Sequence, residues 1–262
     1  MEAPETASFW SHLDVLRAAL LRVAAVLAVV TVGCFAAMPA LFDRVILAPA
    51  SADFPLYRWL SGLGSLGQWG PDFGAPFSVE LINYTIPSQF LTHISTSFWL
   101  ALTLTFPYLI FEVWRFVRPA LYAGERRHVA TAFLCGTGLF YAGCATGYAI
   151  VFPFTFRFLV QYRISETVTN HISLDSYMGN FLMLVFLMGL VFELPLLTWL
   201  LSHLGLVTRR MLRAGRRYAV VALLTLAAVI TPSGDPFTLL TVFFPLYGLY
   251  ELGIRFAREK TS

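Results

Sequence analysis

The chain has 262 residues, of which 58% are hydrophobic and 13% are charged, and its mean hydropathy is +0.70. Soluble domains carry about 25% charged residues, so this chain has too few charges to cover a globular surface in water. The composition excludes a soluble enzyme, a disordered chain and a nucleic-acid-binding protein, and it leaves an integral membrane protein. The three cysteines, Cys34, Cys135 and Cys144, all lie in apolar runs, which argues against a disulfide framework or a thiolate metal site.

The apolar runs are long enough to predict membrane-spanning helices. A helix that crosses the roughly 30 Å hydrocarbon core needs about 20 mostly apolar residues. Six stretches approach or exceed that length: 18–38, 94–114, 129–152, 177–203, 218–231 and 237–254. We therefore predict an all-α protein with six transmembrane helices in one transmembrane domain over residues 1–262. The first run is too long for a cleaved signal peptide, and no cleavage pattern of small residues follows it.

The last two runs are short for membrane spans. At 1.5 Å per residue, residues 218–231 make a helix of about 21 Å and residues 237–254 one of about 27 Å. We expect the bilayer to thin beside these helices, or water to reach their ends.

The basic residues lie almost entirely on one side of the predicted topology. Fourteen of the 18 arginines and lysines fall in the N-terminal segment, the second and fourth connections and the C-terminal tail. The four on the other side are Arg44, Arg58, Arg157 and Arg163. Because connections rich in arginine and lysine face the cytoplasm, both termini and the second and fourth connections are predicted to be cytoplasmic.

Four prolines lie inside the apolar runs or at their ends: Pro107, Pro153, Pro195 and Pro245. Each removes one backbone donor and frees a carbonyl one turn earlier in the helix. In lipid, such a carbonyl must be satisfied by neighbouring groups or by water. The pattern predicts kinked helices around a curved wall or a cavity, and kinks that serve only packing are the alternative.

Glu193 lies deep in the fourth run with apolar residues on both sides. An ionised acid at the centre of a span costs about 2.5–3.5 kcal/mol on insertion scales, so Glu193 should face a polar partner, face a water-filled cavity or be protonated. A structural hydrogen bond to another helix is the alternative. Glu112 and Glu251 lie near cytoplasmic helix ends, where Arg115 and Arg255 favour ordinary helix-surface pairs.

No pattern in the sequence indicates catalysis or metal binding. The five histidines form no pair at i, i+4, and no G-x-S-x-G motif is present. Gly62, Gly64 and Gly67 fit G-x-G-x-x-G, but no strand precedes them and turn chemistry is the better interpretation. We predict no catalytic residue, no metal ligand and no cofactor.

The second connection mixes arginines and aromatic residues between Trp114 and Arg127. Such residues at a membrane boundary commonly anchor the chain in the interface. Glu125 is an acid among these cations, and its carboxylate either accepts a bidentate fork from a partner's arginine or pairs with Arg126 or Arg127.

The N-terminal segment combines a possible helix cap with an apolar stripe. Ser11 followed by Asp14 resembles a capping box, and Leu13, Leu16 and Leu20 mark one apolar face. We predict that this segment lies along the interface before it enters the membrane.

Together these segments resemble the TatC-type subunit of the twin-arginine protein translocase over nearly the whole chain. The resemblance rests on four motifs in order: residues 12–17, residues 114–127, Phe192-Glu193-Leu194-Pro195, and residues 231–237 leading into 245–251. It implies a glove-like, concave bundle of six helices in the cytoplasmic membrane. It also implies a non-enzymatic receptor for the twin-arginine signal peptides of folded cargo. The family works with TatA-type and TatB-type single-span partners, as a homo-oligomer within the complex, and draws on the protonmotive force.

The resemblance implies two groups of functional residues in this chain. The signal-peptide site comprises Asp14, Arg17, Phe116, Leu121, Tyr122 and Glu125. The polar positions for partner contact within the membrane are Glu112, Glu193 and Asp235. We expect Glu125 to accept the arginine pair and Phe116 to pack against the apolar residue that follows the pair.

Three positions depart from the family pattern. Val15 stands where a glutamate usually helps to hold the paired arginines, Ser95 replaces a common lysine, and Leu239 replaces a common glutamine. Asp14 is adjacent to Val15 but points about 100° away on a helix. Either Asp14 substitutes through a shifted helix, or Glu125 bears more of the recognition.

Other functions fit parts of the sequence less well. A secondary transporter with a buried carboxylate fits the kinked helices and Glu193, but no inverted repeat is visible and only one acid lies deep in the membrane. An intramembrane enzyme lacks a visible nucleophile and base, and a bare membrane scaffold is the third alternative.

Overall fold

The computed structural model describes residues 4–61, 79–117, 129–162, 165, 167, 170–203, 205–231, 234–257 and 259. Within these residues ten α-helices form: α1 (Pro4–Leu41), α2 (Pro55–Ser61), α3 (Ser88–Val117), α4 (Val129–Thr146), α5 (Phe152–Gln161), α6 (Leu174–Phe192), α7 (Leu194–His203), α8 (Arg209–Ala214), α9 (Arg216–Ile230) and α10 (Pro236–Phe256). Short π-helical turns cover Phe42–Ile46 and Gly147–Val151, and a 3-10 turn covers Ala48–Ala50. Two strands of two residues, β1 (Leu81–Ile82) and β2 (Ile172–Ser173), pair in parallel.

Five helical segments of the described chain are long and apolar enough to cross a membrane: Leu13–Ala50, Ser88–Phe116, Phe133–Gln161, Leu174–His203 and Pro236–Phe256. They overlap the first four predicted runs and the sixth, although the third segment begins at Phe133 and not at residue 129. The fifth run folds as α9, whose 15 residues make about 22 Å of helix. The prediction of an all-α membrane protein is confirmed. Helix α10 has 21 residues and is about 31 Å long, which matches the roughly 30 Å hydrocarbon core. The expectation that this last helix is short for a membrane span is therefore wrong.

Helix α1 begins earlier than the sequence motifs indicated. It runs for 38 residues from Pro4, so Ser11 lies inside the helix and the capping-box interpretation is wrong. A proline is tolerated in the first turn because the first backbone N–H groups of a helix have no partner within it.

The prolines interrupt helices at two of the four predicted points. Glu193 separates α6 from α7, and Pro195 is the second residue of α7. Pro153 is the second residue of α5, directly after a π-helical turn. Pro107 and Pro245 remain inside α3 and α10.

The first of two compact units comprises Met1–Met38 and His93–Gly138. Side-chain hydrogen bonds join α1 to α3 at two places, from Arg22 to Glu112 and from His93 to the carbonyl oxygen of Phe35. Helices α3 and α4 meet through aromatic rings in the same unit.

The second compact unit comprises Pro39–Thr92 and Leu139–Ser262. Its core includes Phe152, whose ring meets those of Tyr177 and Phe181 edge to face with centroids 5.2 and 5.1 Å apart. Helix α10 packs against α7 and α9. The organisation of residues 1–262 as one transmembrane domain stays a prediction.

Candidate functional site

Three of the six residues predicted to bind a signal peptide are described. Asp14 and Arg17 are exposed on α1, three residues apart and therefore on one side of the helix. Phe116 is half-buried in the last turn of α3. Leu121, Tyr122 and Glu125 lie outside the described residues.

Glu112 is a buried carboxylate held by a cation from another helix. Its side chain is 4% exposed, and its Oε1 and Oε2 accept hydrogen bonds from Nε and Nη2 of Arg22 at 3.0 and 2.7 Å. The Tyr108 hydroxyl donates to Oε1 at 3.1 Å, and Nη1 of Arg115 lies 3.6 Å from the same oxygen. The pair with Arg115 therefore exists, but Glu112 is not on the surface and its principal partner is Arg22. Sequence spacing missed this partner because the two residues are 90 positions apart.

Glu193 lies at the break between α6 and α7. Its backbone N–H donates to the carbonyl oxygen of Leu190 at 3.1 Å, and Pro195 follows in the first turn of α7. The side chain is half-buried, and its Oε1 is buried with no hydrogen-bond partner among the residues that the structure describes. The structural alternative for Glu193, a hydrogen bond to another helix, is therefore not formed by this oxygen within those residues.

Glycines bring α4 and α6 into close contact one turn before Glu193. A Cβ atom at Gly143 would lie 2.5 Å from the carbonyl oxygen of Met188 and 2.8 Å from Cβ of Phe192. One at Gly189 would lie 2.6 Å from Sγ of Cys144. Small residues at such an interface let two backbones approach closely in a membrane. This contact fixes the end of α6, and with it the position of Glu193.

Asp235 is the N-cap of α10. Its Oδ1 accepts a hydrogen bond from the backbone N–H of Thr238 at 2.8 Å, and such a cap satisfies one of the free donors at a helix start. Leu239, where the resemblance implied a glutamine, lies one turn further along and is half-buried. Asp235 therefore has a structural role as a helix cap, and the partner contact that the resemblance implied stays a prediction.

Glu251 pairs with a different arginine from the one its spacing predicted. Oε2 of Glu251 lies 2.8 Å from Nη2 of Arg216 on α9, and the Tyr247 hydroxyl donates to Oε1 at 3.2 Å. The expected partner Arg255 is replaced by a residue of the neighbouring helix, because α9 and α10 pack side by side.

A buried cluster on the predicted outer side escaped the sequence analysis. The guanidinium of Arg157 lies over the ring of Tyr57, 4.9 Å from its centroid, and both residues are 1% exposed. The Tyr57 hydroxyl lies 2.9 and 3.1 Å from the carbonyl oxygens of Pro49 and Pro153, and its single hydrogen is shared between these two acceptors. Burial raises the pKa of the Tyr57 hydroxyl, and the nearby Arg157 lowers it by less, so the hydroxyl keeps its proton. The sequence feature that could have indicated this cluster is Arg157, a cation in an apolar stretch on the side of the predicted topology that has few arginines.

The described residues contain no group of three or more His, Cys, Asp or Glu side chains placed to hold a metal ion. The three cysteines carry no disulfide, since Cys34 and Cys144 are buried free thiols and Cys135 is an exposed one.

These features define an all-α, multi-pass membrane protein with a buried ion pair and a partly buried acid inside its apolar helices. The family model for the Sec-independent protein translocase protein (TatC) matches residues 11–245. This chain belongs to the TatC family. It is a subunit of the Sec-independent protein translocase, a component of membrane transport and not an enzyme.

Two relatives described as Sec-independent protein translocase protein TatC illustrate the similarity. The protein from Deinococcus radiodurans is 40% identical over 181 residues, which are 69% of this chain and 66% of that protein. The protein from Blattabacterium sp. subsp. Periplaneta americana is 32% identical over 248 residues, which are 94% of this chain and 93% of that protein.

Two solved structures have the same fold over most of the chain. The crystal structure of a twin arginine translocase receptor, TatC, superposes with a TM-score of 0.73 at 26% identity and covers 94% of this chain and 97% of that one. A crystal structure of the receptor in the detergent DDM gives a TM-score of 0.76 at the same identity, with 94% and 99% covered.

Proposed function

We propose that this chain is the signal-peptide receptor and core subunit of a twin-arginine translocase, which exports folded proteins across the cytoplasmic membrane. The observation that carries the proposal is the likeness, over 94% of this chain, to a solved protein described as the twin arginine translocase receptor. The protonmotive force supplies the energy. Both termini and the arginine-rich connections face the cytoplasm, a placement that the fourteen-to-four distribution of basic residues supports.

The peptide site lies on the cytoplasmic side of the membrane. Glu125 accepts the guanidinium groups of the arginine pair, since a carboxylate and a guanidinium form two parallel charge-assisted hydrogen bonds. Phe116, Leu121 and Tyr122 provide apolar surface for the residues that follow the pair. Asp14 and Arg17, both exposed on α1, line the edge of the site.

Binding of a fluorescent twin-arginine peptide to the purified chain in lipid nanodiscs tests the receptor function. We expect a twin-lysine peptide to bind at least about tenfold more weakly, because an ammonium group cannot form the same fork. We expect Glu125→Gln to weaken binding by about tenfold or more. Glu80→Gln, which changes an exposed acid outside the site, is the matched control and should leave affinity unchanged. Equal affinity for the two peptides would contradict the proposal.

Partner subunits bind through the acid inside the membrane. Oε1 of Glu193 is buried without a hydrogen-bond partner in the described part of the chain, and a polar group on a TatA-type or TatB-type single-span helix would satisfy it. We expect Glu193→Leu to reduce co-purification of such partners, whereas Glu193→Gln retains it because an amide still forms hydrogen bonds. Val221→Ala changes an exposed apolar residue of another helix, α9, and is the control. Normal co-purification and export by Glu193→Leu would refute this contact.

The receptor also assembles with further copies of itself within the complex. Crosslinking between two differently tagged copies in the membrane tests this assembly, and finding only single copies in active complexes would contradict it.

A further inference from the structure

We infer that Glu112 is a second arginine acceptor of the peptide site, and that Arg22 occupies it until an arginine of the signal peptide displaces the Arg22 side chain. The inference rests on the proposed receptor function and assigns that function a further pair of residues. It also gives the buried ion pair between α1 and α3 a use beyond holding two helices together.

The carboxylate of Glu112 is arranged to bind a guanidinium group. Its two oxygens accept from two nitrogens of one arginine, at 3.0 and 2.7 Å, which is the planar fork that arginine forms and lysine cannot. Tyr108, one turn earlier on α3, donates to Oε1 at 3.1 Å. The acceptor is therefore held in place by its own helix, independently of the cation that fills it.

The cation of this pair lies at the surface of the protein, whereas its acceptor is buried behind it. The side chain of Arg22 is 39% exposed and that of Glu112 is 4% exposed. Arg22 therefore covers the carboxylate from the outside and can leave without any rearrangement of α3. An incoming guanidinium would approach along the route that Arg22 vacates.

The pair lies close to Phe116, which belongs to the proposed peptide site, and on the same helix as position 15, where the resemblance implies an acid. Glu112 is one turn before Phe116 on α3, and Arg22 is seven residues after Val15, which places both on one face of α1 about 10 Å apart. Val15 is 52% exposed and stands where the family usually has a glutamate. Each arginine of the pair gains from an acceptor of its own, and Glu112 supplies one in a chain that has no acid at position 15.

Exchange of one guanidinium for another conserves the buried charge. Glu112 is never left without a cation, so the step avoids the large penalty of an unpaired acid in a buried site. The displaced Arg22 lies one turn from the start of the run 18–38, and its long side chain can extend its cation to the membrane interface. Because Arg22 competes for the same acceptor, the exchange contributes more to selectivity than to affinity. A lysine side chain cannot reproduce the fork, so a twin-lysine peptide leaves Arg22 in place.

The exchange is tested by whether substitution of Arg22 strengthens or weakens peptide binding. The measurement uses the same fluorescent peptide and nanodiscs. We expect Arg22→Gln and Arg22→Lys to bind the twin-arginine peptide about three- to tenfold more tightly, because the competitor is removed or weakened. We expect Glu112→Gln to weaken binding by about tenfold, and to abolish the gain when it is combined with Arg22→Gln. Arg255→Gln removes an exposed arginine outside the pair and is the control.

If the ion pair between Arg22 and Glu112 only holds α1 against α3, the variants show a different pattern of peptide affinities. In that case Arg22→Gln weakens binding to the same extent as Glu112→Gln, and this result would overturn the exchange. Arg22→Lys keeps a cation beside the buried acid, and it decides the question if Arg22→Gln does not fold. If the unmodified chain shows no preference for the twin-arginine peptide and Glu125→Gln binds that peptide as tightly, the receptor function itself fails. If the arginine preference and the dependence on Glu125 are both found, but Arg22→Lys binds the twin-arginine peptide no more tightly than the unmodified chain, only the exchange fails.

Discussion

His93 donates a hydrogen bond from its Nε2 to the carbonyl oxygen of Phe35, at 2.9 Å. This carbonyl is the one that Pro39, four residues later inside α1, cannot satisfy because proline has no N–H. The imidazole of His93 also stacks on the Phe35 ring, with centroids 3.9 Å apart. A side chain of α3 therefore repairs the defect that the proline makes in α1, as a membrane environment requires.

Replacing His93 by phenylalanine should destabilise the protein by about 1–3 kcal/mol, because it leaves this carbonyl without a donor while it keeps an aromatic ring against Phe35. Denaturant unfolding in detergent micelles measures the loss. In a Pro39→Ala background the loss should be smaller, because an alanine at that position restores the backbone N–H. The same loss in both backgrounds would show that the histidine does not serve the freed carbonyl.

Gly143→Ala should force α4 away from α6. The added Cβ would lie 2.5 Å from the carbonyl oxygen of Met188, and neither backbone can move without loss of packing. We expect a destabilisation of about 1–3 kcal/mol and weaker co-purification of single-span partners, since Glu193 lies on the displaced end of α6. The control is Gly179→Ala, because a Cβ at that position of α6 would meet nothing within 4 Å. An equal response of the two variants would rule out close packing as the role of Gly143.

Tyr57→Phe removes only the hydroxyl that donates to the carbonyl oxygens of Pro49 and Pro153. We expect a loss of about 1–2 kcal/mol in the free energy of unfolding, with the Arg157 guanidinium still over the ring. Tyr57→Leu should lose about 0.5–2 kcal/mol more, because it also removes the cation–π contact. Thermal unfolding in detergent compares the two variants. Stability unchanged by Tyr57→Phe would show that the hydrogen bonds of this hydroxyl do not stabilise the fold.

The existence of the helices was predictable because few backbone conformations are stable within a bilayer. Every backbone group in the hydrocarbon must be satisfied within the protein, so an apolar run of sufficient length predicts a helix directly. The bounds were less predictable. Helix α1 begins at Pro4 and not near Ser11. Its first turns are too polar to be recognised as part of an apolar run, yet they are helical.

The partners of polar residues could not be predicted, because no local spacing relates them. Arg22 is 90 residues from Glu112, and the Tyr57 hydroxyl reaches the Pro153 carbonyl 96 residues away. Glu251 had a plausible local partner at i+4, yet the packing of α9 against α10 supplies Arg216 instead. By contrast, Glu193 was identified as unusual from sequence alone, because its position in an apolar run needs no knowledge of its neighbours.

Two substitutions at Asp235 separate its role as a helix cap from a role in partner binding. Asp235→Ala removes the acceptor for the Thr238 N–H and should lower the free energy of unfolding by about 1 kcal/mol. Asp235→Asn keeps an oxygen at that position, so we expect near-normal stability. If the negative charge contacts a partner, Asp235→Asn should still reduce co-purification of single-span partners. Stability would then be nearly normal in this variant while partner binding is lost.

The N-cap of α6 provides the matched control for Asp235. Ser173 accepts a hydrogen bond from the backbone N–H of Ser176 at 3.2 Å, and Ser173→Ala should lower stability by a similar amount, about 1 kcal/mol, without loss of partners. Retention of partners by Asp235→Asn, together with a loss of stability in Asp235→Ala, would restrict Asp235 to its role as a cap. The polar contact within the membrane would then rest on Glu193.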